Sequence, residues 1–431
     1  MNPKLVRVVT SLWLILLAAA GLRFGYAWHE QRKIPSELLV ARFQQETGNI
    51  AYSLATGKGF SSPWLRESGP TAYLAPVYPL LLAGIFRIFG IETIHSFFAT
   101  ASLNIVFSVA TCVPIFYAGK RIVGSGVAST AAWFWALLPN AVIFPFEWVW
   151  DTSLSALLAA TLLWAALAVA ESPRSRRWCA YGLLWGFALL TNPALGSLLP
   201  FLIGWAGYRA QDPRFLRLQR LALAVGCAIL CCVPWTVRNY AIFHKFVPLR
   251  SSLGLELYIE NNENYGNHPR VWPYNITRER EVYRFFRMGE SAFMDEEMHK
   301  ALQFIFSHPR AELRLCSYRF VSFWMGTPDP LQDFFASDSL FLRTVFLASF
   351  LLLLGTLAGI VVLFRKHDGF AFPLASFPVI FPLIYYITHA SLRYRHSIDP
   401  ILVLLSAIAA ATALHQLVHR RDKNEDKYAQ C

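Results

Sequence analysis

The chain alternates long apolar runs with short polar breaks. Runs at 8–28, 96–119, 127–144, 152–170, 221–237, 340–364, 370–388 and 401–418 each approach the roughly 20 residues that a helix needs to cross a bilayer. The stretch 178–208 is also apolar, but Thr191-Asn192-Pro193 interrupts it. That break predicts two short spans in place of one long one. The pattern as a whole predicts an all-α polytopic membrane protein, a bundle of about ten transmembrane helices with juxtamembrane helices and outer loops. The first run follows Lys4 and Arg7 and ends without a small-x-small cleavage site, so a retained first helix is expected. Segment 78–89 is apolar but only about half a span long. It is expected to lie along the outer interface.

Composition agrees with this reading. The chain is 55% hydrophobic and 15% charged, against about 25% charged for a soluble domain. A net charge of +12 would suit a nucleic-acid partner, but its placement argues otherwise. With the N-terminus inside and about ten spans, the short inner segments hold 17 of the 39 Lys and Arg residues, all close to span ends. This is the positive-inside pattern, so the basic balance reports topology and no nucleic-acid partner is expected. Residues 1–418 read as one transmembrane domain and 419–431 as a charged cytoplasmic tail. The long polar segments, 30–95 and 238–338, then fall outside, where any site should open. The second begins with a turn-rich patch at 256–266 and continues with helical periodicity over 280–303. An amphipathic aromatic stretch at 304–325 is expected to rest on the bilayer surface. The 7 Cys show neither metal-ligand spacing nor a secreted-type framework; small apolar packing is their expected role.

The candidate chemistry sits at the outer ends of the runs. In the first outer segment Glu46 precedes the glycine turn Gly57-Lys58-Gly59 and the element Pro76-Val77-Tyr78-Pro79. Glu46 reads as a general base for an acceptor hydroxyl, or else as a solvated loop carboxylate. Tyr78 either anchors at the interface or lines a cleft. Glu147-Trp148-Val149-Trp150-Asp151-Thr152 offers two carboxylates beside two indoles, an arrangement that suits sugar stacking and hydroxyl hydrogen bonds. The bland alternative is that Asp151 and Thr152 only cap the next helix. Arg238, and the pair Arg393 and Arg395 in Arg393-Tyr394-Arg395-His396, lie on the outer side against the positive-inside trend. Guanidinium forks match phosphate oxygens, and interfacial snorkelling is the alternative. Asn192 marks a helix end. His29, His95, His389 and His396 could in principle hold a metal, but they share no fixed spacing. Asn275-Ile276-Thr277 matches a glycosylation sequon.

Taken together, these residues resemble the membrane glycosyltransferases of the GT-C class. The nearest resemblance is to the bacterial branch similar to protein O-mannosyltransferases and lipid A aminoarabinose transferases. It implies a sugar donor linked to a polyprenyl phosphate, an inverting transfer to a protein, lipid or glycan acceptor, and a site at the outer face of a bacterial inner membrane. By position, Glu46 matches the first-loop catalytic acid and Asp151 the second acidic position. Asp151 would orient the acceptor or hold a divalent ion, should one be used; no other cofactor is implied. Arg393 and Arg395, with Arg238 a weaker match, correspond to the basic group near the donor phosphate. Tyr78, Glu147, Trp150, Glu256, Asn262 and His396 are expected to contact substrate, with the loop 256–264 covering the sugar. This chain departs from many relatives in carrying a single Glu after two Gln where they carry an Asp or an Asp-Glu pair. No appended soluble domain is expected after its last span, and the protein is expected to act alone or with a partner. The rival classes are a lipid-linked sugar flippase or transporter, which would need polar groups at mid-membrane and usually inverted repeats, and a non-catalytic envelope scaffold.

Overall fold

The computed structural model describes residues 11–64, 67–263, 279–337 and 339–429, with side chains as far as 418. Lys4, Arg7, residues 264–266 of the turn-rich patch, the sequon at Asn275 and Cys431 lie outside the described residues. The described chain is all-helical apart from turns and one isolated antiparallel bridge, Ser61 to Pro70.

Six helices are long and apolar enough to cross a membrane: Leu12–Gln31, Ile94–Ile122, Thr152–Ala170, Arg214–Phe243, Leu340–Arg365 and Asp399–Val418. Ser125–Leu137 and Pro139–Glu147 make a seventh if the 45° bend between them belongs to one span. Pro139 starts the second of that pair after an extended Leu138, and a proline without an N–H interrupts the helical ladder there. By length, then, the described residues hold six or seven spans where about ten were expected. The shortfall is in the broken runs. Segment 178–208 folds as Ser175–Leu189, the 3₁₀ turn Pro193–Leu198 and Leu199–Arg209. Segment 370–388 folds as Ala371–Ile380 and Leu383–Ile387 around Pro378 and Pro382.

Helix Thr152–Ala170 is the hub. It is buried over 72% of its apolar window and apolar on every side, the pattern of a helix surrounded by other helices. Elsewhere small residues set the spacing. A Cβ on Gly182 would stand 2.2 Å from the Ala224 carbonyl oxygen, and one on Gly186 2.3 Å from Cys231 Cβ. A Cβ on Gly359 would meet the Leu405 carbonyl at 2.2 Å, and Gly355 faces Ser406. Glycines four apart let two backbones approach where apolar burial alone gives no drive within lipid. Cys227 and Cys231 fill the same seam, which is the packing role expected of them.

The outer elements pack on this bundle. Helix Val77–Phe89 buries Tyr78, Leu82 and Phe86 and exposes Leu80, Leu81 and Ile88. Its 13 residues are too few to cross, which agrees with an interfacial helix. The periodic stretch near 280–303 is two helices, Glu279–Met288 and Glu290–Ser307, divided at Gly289 with φ of 77°. Helix Pro309–Met325 exposes Leu313 and Phe320 while burying Arg319. The final helix continues to Ala429, so the tail prolongs the last span.

Candidate active site

A cavity of about 240 Å³ opens among the elements that the sequence placed outside. One wall is acidic. Glu46 stands at the first residue of helix Glu46–Ala55. That helix begins tightly against the chain before it, since a Cβ on Gly48 would lie 1.9 Å from the Phe43 carbonyl oxygen. Asp151 stands just before the hub helix. It is the cap residue by position, yet its side chain makes no capping bond to the helix. Instead Ser155 Oγ donates to Asp151 Oδ2 at 2.7 Å, and Asn192 Nδ2 donates to Ser155 Oγ at 3.2 Å. Asn192 also accepts from the Ala194 N–H at 3.1 Å. It therefore ends one helix, as expected, and braces Asp151 as well. The third carboxylate, Glu256, comes from helix Leu253–Tyr258.

The basic component is Arg250 and Arg393. Arg393 stands in the short helix Leu392–Arg395, with its guanidinium 4.3 Å from the Trp150 ring centre and 4.9 Å from that of Tyr394. Its Nη2 donates to Tyr394 Oη at 3.0 Å. Arg250 Nη2 is 3.9 Å from Glu256 Oε1, and His389 Nδ1 is 3.2 Å from Glu256 Oε2. Tyr394 Oη lies 2.6 Å from His389 Nε2. Tyr78 also lines the cavity, with its hydroxyl donating to Asn104 Oδ1 at 2.9 Å. Trp150 lines the cavity and donates its indole N–H to Gln45.

Electrostatics separate the three acids. Burial pushes the Glu46 carboxyl above its usual value, outweighing the pull of its own backbone N–H and of Arg393; the charge of Glu256 adds to the rise. Burial also raises Asp151, against the Ser155 hydroxyl and the two arginines. Glu256 goes the other way. Burial would raise it, but the His389 contact, Arg250 and Arg393 together hold it at about 2. One firmly ionised carboxylate thus faces two that take up a proton more readily, and environments that push acids apart can divide their roles.

Glu46, Tyr78, Trp150, Asp151, Glu256 and Arg393 all line this cavity. Five other candidates do not, and their side chains are committed elsewhere. Arg395 is buried, paired with Asp399 at 2.9 Å and bonded to the Trp324 carbonyl and to Ser349. His396 is buried against Trp135 and lies 3.1 Å from Asp399. Arg238 donates to the carbonyls of Thr71 and Phe60 at 2.6 and 2.8 Å, bracing the first outer segment. Glu147 accepts from Arg42 and Tyr26. Asn262 donates to the Tyr258 and Ile259 carbonyls. The glycine turn at Gly57 and Gly59, both with positive φ, ends helix Glu46–Ala55 and also stays outside the cavity. Sequence reasoning missed Arg250, Tyr394 and His389 as cavity groups. The signal for Tyr394 was its place beside Arg393. No three His, Cys, Asp or Glu side chains gather as a metal site among the described residues.

The profile of the family described as dolichyl-phosphate-mannose-protein mannosyltransferase matches residues 73–237, a range that includes Tyr78, Trp150 and Asp151. No curated protein matches the sequence. The oligosaccharyltransferase AglB from Archaeoglobus fulgidus, solved with an inhibitory peptide and a dolichol-phosphate, superposes with a TM-score of 0.54 at 14% identity, over 98% of this chain and 52% of that one. The apo oligosaccharyltransferase from the same organism gives a TM-score of 0.52 at 13% identity, over 96% and 51%. The chain thus spans about half the length of these two. ArnT from Cupriavidus metallidurans, solved bound to undecaprenyl phosphate, matches with a TM-score of 0.40 at 13% identity, over 95% of this chain and 78% of that one. The chain therefore shares its fold with the two oligosaccharyltransferase structures, and its residues 73–237 match the profile of the dolichyl-phosphate-mannose-protein mannosyltransferase family.

Proposed function

We propose that this protein transfers a sugar from a polyprenyl-phosphate donor to an acceptor hydroxyl, with inversion, at the outer face of a bacterial inner membrane. The observation that carries this reading is the cavity itself, with Glu46 and Asp151 meeting Arg250 and Arg393 in one enclosed space. The transfer needs a proton acceptor for the attacking hydroxyl and positive charge for the departing lipid phosphate, and the two arms of the cavity offer one each. Glu46 takes the hydroxyl proton as the C1–O bond to phosphate breaks and the new C1–O bond forms. A raised carboxyl suits a base working nearer to neutral pH. Asp151, braced by Ser155 and Asn192, orients the acceptor. Arg393 and Arg250 stabilise the charge that gathers on the phosphate, and fixed charges aimed at such a centre usually contribute the largest share of catalysis.

Two further observations support the reading. A protein of the same fold has been solved holding a dolichol-phosphate and a peptide. And Asn192 follows the end of helix Ser175–Leu189 opposite Arg176 and Arg177, while Asp151 precedes a helix whose other end leads to Arg174, which fits an outward-facing site under the positive-inside rule. The test is transfer of radiolabelled sugar from a synthetic polyprenyl-phosphate donor by purified protein in detergent. Transfer by the wild type and none by Arg393→Ala is the expected result. Rapid movement of intact donor across a vesicle membrane without any transfer would favour a flippase instead.

A further inference from the structure

One wall of the cavity carries a chain of polar contacts that runs from an arginine to a carboxylate. It starts at Arg393 Nη2, 3.0 Å from Tyr394 Oη. A guanidinium N–H only donates, so the phenolic oxygen accepts there. Tyr394 Oη is in turn 2.6 Å from His389 Nε2. Burial pushes the phenol up to about 12, so it keeps its proton at neutral pH. His389 Nδ1 in turn faces Glu256 Oε2 at 3.2 Å. That last contact is at ion-pair distance but poorly aligned as a hydrogen bond, which makes it the softest link. The contacts end on a carboxylate. On its other side the guanidinium rests on the Trp150 ring at 4.3 Å, so Arg393 is held from two directions.

We propose that Tyr394, His389 and Glu256 are positioning residues that aim the free N–H groups of Arg393 at the phosphate of the lipid-linked donor. This rests on the transfer reading given above. An arginine side chain has many rotamers, and only a guanidinium already turned toward the phosphate stabilises it without reorganisation. The chain removes that freedom, and it does so only while complete. Loss of any one link frees the same group, so the effects of two losses do not multiply.

Binding of farnesyl phosphate to the full-length protein in detergent, measured by calorimetry, tests this apart from turnover. Arg393→Ala is expected to abolish binding. Tyr394→Phe removes one oxygen and keeps the stacking on Tyr385 at 4.7 Å; it is expected to weaken binding about tenfold. His389→Ala should match it, and the double variant should be no weaker than Tyr394→Phe alone. Wild-type affinity in Tyr394→Phe, or losses that multiply in the double variant, would overturn the proposal. If Arg393→Ala binds like the wild type, the phosphate clamp fails and the transfer reading fails with it. Should His389→Ala not fold, Tyr394→Phe against the wild type still decides.

Discussion

The indole of Trp150 ties Arg393 to the residue next to Glu46. The guanidinium of Arg393 lies 4.3 Å from the Trp150 ring centre, and the Trp150 N–H donates to the Gln45 side chain. Gln45 immediately precedes Glu46, the first residue of its helix. One side chain thus couples the basic and acidic parts of the cavity. The ring attracts the cation, and the N–H holds the start of the acidic helix.

Trp150 should therefore be divisible by substitution. Trp150→Phe keeps a ring under Arg393 and loses the bond to Gln45. Trp150→Ala loses both. A cation–π contact out of bulk water contributes roughly 0.5–2 kcal/mol. Binding of farnesyl phosphate, through Arg393, should fall several-fold in the Ala variant and little in the Phe variant. Sugar transfer should fall in both. Equal phosphate affinity in all three proteins would show that the ring does not hold the guanidinium.

Glu46→Gln separates function from stability. As the proton acceptor, its loss should lower transfer about 10²- to 10⁴-fold. Folding should respond the other way. The Glu46 carboxyl is raised in the fold, so the folded state binds more protons than the unfolded one between the ordinary value and the raised one. Stability contributed by Glu46 is therefore full below that window and is lost as pH rises through it. The Gln variant escapes this cost and should melt no lower than the wild type at neutral pH. In wild type, kcat/KM should fall as pH drops through a value above the ordinary 4.5. A large drop in melting temperature for Glu46→Gln would place Glu46 in the scaffold.

Glu256 carries the opposite sign. Its folded value is about 2 against an ordinary 4.5, so its contribution is present above 4.5 and is lost as pH falls toward 2. Acid melting of the wild type should steepen in that window, and Glu256→Gln should flatten it. The same variant leaves Arg250 without the carboxylate 3.9 Å from it, so it should already be less stable at neutral pH. Identical acid melting curves would mean that the contacts to His389 and Arg250 do not persist in solution.

The helix seam at Gly182 offers a test of the bundle itself. A Cβ there would stand 2.2 Å from the Ala224 carbonyl oxygen, while one on Gly226 would meet nothing within 4 Å. Gly182→Ala should therefore cost roughly 1–3 kcal/mol by overpacking, and Gly226→Ala should be neutral or stabilising. Melting temperatures in one detergent compare the two directly. Equal melting would mean that the helices simply move apart.

The hydrophobic runs made the bundle legible because lipid demands long apolar helices, and the polar punctuation between them pointed to Glu46, Asp151 and Arg393. Spans broken by Asn192 and Pro193, or by Pro378 and Pro382, were harder to count, since a short helix buried among others need not cross anything. Arg250 lies in the stretch between helices Arg214–Phe243 and Leu253–Tyr258, where no period says which way a side chain faces. His389 shows no spacing to its partner, because Glu256 reaches it from a distant part of the chain. Glu46 looked isolated for the same reason. In sequence it has no acidic neighbour, but in space Asp151 and Glu256 share its cavity. Arg395 misled for a different reason. Two residues on from Arg393 in a helical turn is about 200° around the axis, so the two guanidinium groups cannot share a face.

That geometry gives Arg393 and Arg395 opposite fates on substitution. Arg393 faces the cavity, and Arg393→Ala should keep the fold while losing phosphate binding and transfer. Arg395 is buried with Asp399, and its Nε donates to Asp399 Oδ1 at 2.9 Å. Arg395→Ala leaves that carboxylate buried with only His396 beside it, and breaking a buried pair from one side costs about 3–5 kcal/mol. Poor yield and a lower melting temperature are expected before any effect on chemistry can be read. Changing both members, as in Arg395→Met with Asp399→Leu, removes the stranded charge and should recover much of the stability, because apolar replacement of a buried pair is often neutral or better. Donor affinity in that recovered protein is the deciding measurement. If it matches the wild type, Arg395 serves the fold alone. If it falls as far as in Arg393→Ala, the phosphate reaches deeper than the cavity described, and Arg395 belongs to the clamp.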